Sequence, residues 1–65
     1  MTLVEFTSTL PGYVVLLLHT KDRSWHLPAG SVINHKELVK AQVVQATPIA
    51  PYTMEISIEF KEENQ

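Results

Sequence analysis

A small α+β domain, with a mainly antiparallel sheet of three to four strands and one helix, is the fold that three features of this 65-residue sequence predict. From Tyr52 to Phe60 apolar residues alternate strictly with polar ones, which puts one set on each face of an extended strand. Val14 to Leu18 is an unbroken apolar run, the pattern of a strand whose two faces both avoid water. Between them, residues 35 to 46 carry the start signals of a helix. If that stretch extends instead, an all-β small sandwich or barrel is the alternative.

In chain order, Thr2 to Thr9 is rich in β-branched and aromatic residues and reads as a strand. Leu10, Pro11 and Gly12 then predict a reversal, since a Pro-Gly pair suits a type II turn. Tyr13 to His19 is the central strand. Thr20 to Arg23 is a polar connection of hairpin length, and Ser24 to Leu27 is the return strand, halted by Pro28, which cannot donate to a ladder. Asn34 followed by Glu37 resembles a capping box, with Ile33 and Leu38 placed as a hydrophobic staple, and favours a helix from about His35 to Ala46. Val39, Val43 and Val44 are β-branched and argue for the competing strand, which would join Tyr52 to Phe60 through a loop containing Pro48 and Pro51. Residues 1–60 make one domain, and 61–65 form a polar, solvated tail.

Composition narrows the function. Five Lys and Arg against seven Asp and Glu give a net charge of −2, with the cations scattered, so no patch exists to displace counterions from phosphates and no nucleic-acid role is expected. The longest apolar run is far shorter than a membrane span, which takes about 20 residues, so a soluble cytoplasmic protein is expected, without membrane contact. There is no cysteine, hence neither a disulfide nor a thiolate metal site to reinforce so small a core.

Few residues point to chemistry. His19, His26 and His35 are the one ligand set worth weighing: a hairpin would bring His19 and His26 together, with Glu37 or a second subunit as further donor. Their spacing matches no zinc motif, and exposed or hydrogen-bonded histidines are the simpler reading. Ser24 and His26 lack a carboxylate behind the histidine. Glu55 and Glu59 stand about 13 Å apart along a strand at about 3.3 Å per residue, too far for a glycosidase pair. The aromatic residues lack the interleaved cations of a stacking platform for single strands.

The segment 14–30, an apolar strand, a polar turn and then Ser24, Trp25, His26, Leu27, Pro28, Ala29 and Gly30, resembles the stretch that leads into the Nudix box. That resemblance implies a nucleotide cleft followed by a helix whose glutamates hold Mg²⁺. Measured from Gly30, however, Lys36, Val44, Gln45, Pro48 and Ile49 stand where the box has its glutamates and Arg-Glu pair, and Glu37 is alone. Several carboxylates are needed to hold a metal against a diphosphate. The resemblance therefore implies at most a degenerate nucleotide binder without hydrolase activity.

No catalytic, cofactor or metal-binding residue is assigned. The expectation is a non-enzymatic binding or assembly module that forms homo-oligomers, because one short chain cannot cover both faces of its central strand. Val15, Leu17, Trp25, Tyr13 and Tyr52 are the candidate interface. The partner is expected to be a second copy of the chain. The alternatives are the nucleotide binder, or an adaptor or inhibitor that adds a strand to another protein through Tyr52 to Phe60 or Thr2 to Thr9.

Overall fold

The computed structural model describes residues 1–60; the polar tail at 61–65 lies outside the described residues. Its elements in order are helix α1 (Leu3–Thr7), strands β1 (Val15–His19) and β2 (Ser24–Pro28), a 3-10 turn (Ala29–Asn34), helix α2 (Lys36–Val39), and strands β3 (Ala41–Ala50) and β4 (Thr53–Phe60). The four strands form one sheet in the order β2-β1-β4-β3. β1 pairs antiparallel with β2 and β3 with β4, while β1 and β4 run parallel, so the predicted α+β class holds with one parallel pairing at its centre.

Two elements depart from expectation. Thr2 to Thr9 is not a strand: Thr2 and Glu5 form a reciprocal capping box, with the Glu5 amide donating to Thr2 Oγ1 at 3.1 Å and the Thr2 amide to Glu5 Oε1 at 3.0 Å. Two orphan donors are thereby satisfied, and the helix turns Leu3 and Thr7, four residues apart, onto one buried face. The helix expected over 35–46 is a single turn. No side chain caps α2, which starts from His35 after Asn34 closes the 3-10 turn, and Glu37 instead binds Arg23 at 3.0 Å. The β-branched residues beyond it extend into β3 and pair with β4, where Ala41, Val43 and Ala46 face Phe60, Ile58 and Ile56.

The turns follow local chemistry. Pro11 to Val14 closes with Val14 N donating to Pro11 O at 3.1 Å, and Gly12 keeps a negative φ, so the expected type II turn is not formed. Gly12 serves by closeness instead: Gly30 N donates to Gly12 O at 3.0 Å, and a Cβ on Gly30 would meet the Gly12 Cα and O at 3.4 Å. Thr20 to Arg23 closes the β1-β2 hairpin as predicted, with Thr20 N donating to Arg23 O at 2.9 Å. Pro51 and Tyr52 make the β3-β4 turn, with Tyr52 in the left-handed region at φ 60°. Proline followed by a positive φ is the pattern of a type II turn. Pro48 is tolerated inside β3 because that strand lies at the sheet edge.

The core lies on one face of the sheet. Leu16, Leu18, Leu27, Ile56 and Ile58 are buried there beneath Leu3 of α1, Val32 of the 3-10 turn and Leu38 of α2. Each such side chain contributes about 1.5–3 kcal/mol by leaving water. The other face has no helix over it.

Candidate functional site

Alternation along β1 decides what the uncovered face carries. Leu16 and Leu18 point into the core, so Val15, Leu17 and His19 point the other way and are only half-buried. Pairing fixes their neighbours. Across the sheet, Leu17 lies between His26 of β2 and Glu55 of β4, Val15 between Pro28 and Thr53, and His19 between Ser24 and Ser57. The β3 positions on this side are mixed: Gln42, Gln45 and Thr47 are polar, while Ala50 pairs with Thr53 and the exposed Val44 and Ile49 sit at the two register shifts. An apolar strip on β1 is thus flanked by His26 on β2 and by Glu55 and Glu59 on β4, with His19 closing it at one end.

His19 is the best-connected polar group on this face. Its Nε2 stands 3.6 Å from Glu55 Oε2 and 3.4 Å from Ser57 Oγ, with the imidazole and carboxylate side chains 40% and 51% exposed. His26 is exposed on the same face, one row along. Glu37, the further donor suggested for these histidines, is not near them, for it lies with the helices and binds Arg23. Among the described residues, no group of three or more His, Cys, Asp or Glu side chains is arranged to hold a metal ion.

The expected interface residues divide by location. Val15 and Leu17 are on the open face. Tyr13 and Tyr52 are exposed at the Val15 end, where their rings meet edge to face with centroids 5.3 Å apart. Trp25 is on the opposite face, in register with Leu18, packed edge-on against Phe60 at 5.9 Å and beneath the Arg23 guanidinium at 4.6 Å. Such a cation over an indole adds to the packing at the sheet end.

Two carboxylates are shifted in their titration, both on the helical side. A side-chain hydrogen bond from Arg23 holds Glu37 below the ordinary carboxylate range, and the Thr2 backbone and hydroxyl hydrogen bonds do the same for Glu5. Both favour the charged form by donating to it. These are structural roles, a strap between the β1-β2 hairpin turn and α2 and a helix cap.

The edges of the sheet differ from what the sequence implied. β4, expected to offer a free edge, is internal, flanked by β1 and β3, and Thr2 to Thr9 is helical. The outer strands are β2 and β3. At residues 42 and 43, β3 is already met by the N-terminus, with Val43 N donating to Met1 O at 3.0 Å and a bridge from Thr2 to Gln42. Two register shifts and Pro48 interrupt the rest of that edge. Bulges and proline are common ways of blocking strand addition.

Among the described residues no helix is long and apolar enough to cross a membrane. No protein-family model matches the chain, and no curated protein or solved structure is significantly similar to it.

Proposed function

We propose that this chain is a non-enzymatic assembly module that self-associates through the open face of its sheet, with the cytoplasm as its working compartment. One observation carries the reading: β1, the strand with the most apolar sequence, is covered by helices on the Leu16 side and uncovered on the Val15 and Leu17 side. A domain of this size has little area to spare for its own stability, and a second copy supplies the missing cover. The interrupted outer edge of β3 favours the face over the edge as the contact.

Sedimentation of the purified chain across micromolar concentrations tests the reading. A mass above 7.4 kDa is expected, falling to the monomer value in Leu17→Asp. A monomer at every concentration overturns it.

A further inference from the structure

Taking the assembly reading as its basis, we propose that two copies stack face to face about a two-fold axis running along β1, with His26 of each copy over Glu55 of the other. His26, Leu17 and Glu55 lie side by side on β2, β1 and β4, and Pro28, Val15 and Thr53 form the next row. Isologous contacts are the common way for identical chains to pair, and two axis directions keep the apolar strand β1 against itself.

An axis across the strands returns the central row to itself, setting Glu55 against Glu55 as the face dries. Like charges brought together in a desolvated contact are strongly disfavoured. An axis along β1 instead exchanges the columns. Val15 then meets Val15 and Leu17 meets Leu17, while β2 of one copy covers β4 of the other. His26 falls over Glu55, an N–H donor over a carboxylate acceptor, Ser24 over Ser57, and Pro28 over Thr53.

The same operation leaves β3 without a counterpart, since it lies two strands from β1 on one side and no strand occupies the matching place on the other. β3 would leave a mixed column in water, with Gln42, Gln45 and Thr47 beside Ala50 and the bulged Val44 and Ile49, while Val15 and Leu17 lie on the axis. Within a single chain His26 and Glu55 are two strands apart, about 10 Å at the usual strand spacing, so they do not pair internally.

Three strands of five residues present roughly 15 by 17 Å in projection, well below the ~800 Å² per partner of a standard interface. The dimer is accordingly weak.

Sedimentation equilibrium on the full chain and three variants tests the geometry, with thermal melts to check that each variant folds. His26→Lys places a full positive charge over Glu55 and tightens the dimer about fivefold, while His26→Glu loosens it by a similar factor. The double variant H26E/E55K exchanges the two charges and returns association toward the wild-type value. An axis across the strands predicts the reverse, with His26→Lys weakened by its own repulsion and the double variant not restored. Wild-type self-association with that second pattern, or with no response to any of the three, overturns this arrangement and leaves assembly standing; a monomeric wild type overturns both.

Discussion

Leu16 and Leu17 are adjacent, chemically identical residues on one strand, and they occupy different environments. Leu16 is fully buried beneath α1, α2 and the 3-10 turn, whereas Leu17 is only partly buried, between an imidazole and a carboxylate. The two faces of β1 thus separate two uses of the same apolar sequence. One face holds the monomer together. The other adds nothing to the monomer comparable with its hydrophobicity, and that surplus is what the assembly reading uses.

The comparison breaks most clearly under truncation. Leu16→Ala is expected to cost about 3 kcal/mol, the usual range for a buried leucine whose site cannot collapse, and in so small a domain this brings unfolding close to ambient conditions. Leu17→Ala is expected to change monomer stability by less than about 1 kcal/mol while weakening self-association. Chemical denaturation at low protein concentration measures the pair. Equal costs at the two positions would mean that the second face is covered within one chain.

The helical layer over the first face can be loosened at its cap. Thr2→Ala removes the acceptor for the Glu5 amide and half of the capping box, at a cost of about 1 kcal/mol measured by the same denaturation. Association through the open face is expected to remain. Loss of association with Thr2→Ala, in protein that is still folded, would place the N-terminal segment in the contact.

Acid titration gives the smallest effect, again confined to the helical side. Glu37 and Glu5 have folded-state values below their unfolded ones, through Arg23 and Thr2 respectively. Their contribution is therefore complete above the ordinary glutamate value of about 4.3 and is lost as pH falls through the lower folded values. Stability should decline below about pH 4, and Glu37→Gln should flatten that decline. Because both side chains are exposed, the slope is shallow; an unchanged acid profile in Glu37→Gln would remove the Arg23 strap from the account.

Much of the sheet was legible because strand alternation is a local property. The strand read over Tyr52 to Phe60 appears as Thr53–Phe60, with Tyr52 in the turn, and the hairpin through Thr20 to Arg23 forms where turn chemistry places it. The two departures in the helices have separate causes. Two stretches carry a capping-box pattern, Thr2 with Glu5 and Asn34 with Glu37; the first forms and the second does not. Glu37 has a competing partner in Arg23, brought near by the fold, while Glu5 has none among the described contacts. The pattern Thr-x-x-Glu at Thr2 was present to be read and was outweighed by β-branched composition. Of the candidate contact residues, Val15 and Leu17 reach the open face by alternation alone, whereas the position of Trp25 on the opposite face depends on its register with Leu18.

Sequence alone determined that β1 would carry apolar side chains on both faces and that β4 would have one wet face, because the side-chain period of an extended chain requires no partner to define it. Which side of β1 the helices cover, and that β4 rather than β3 lies beside it in parallel, were decided by tertiary structure. Those choices depend on contacts between Leu3, Val32, Leu38 and the sheet, whose free energy arises only when residues far apart in the chain are brought together.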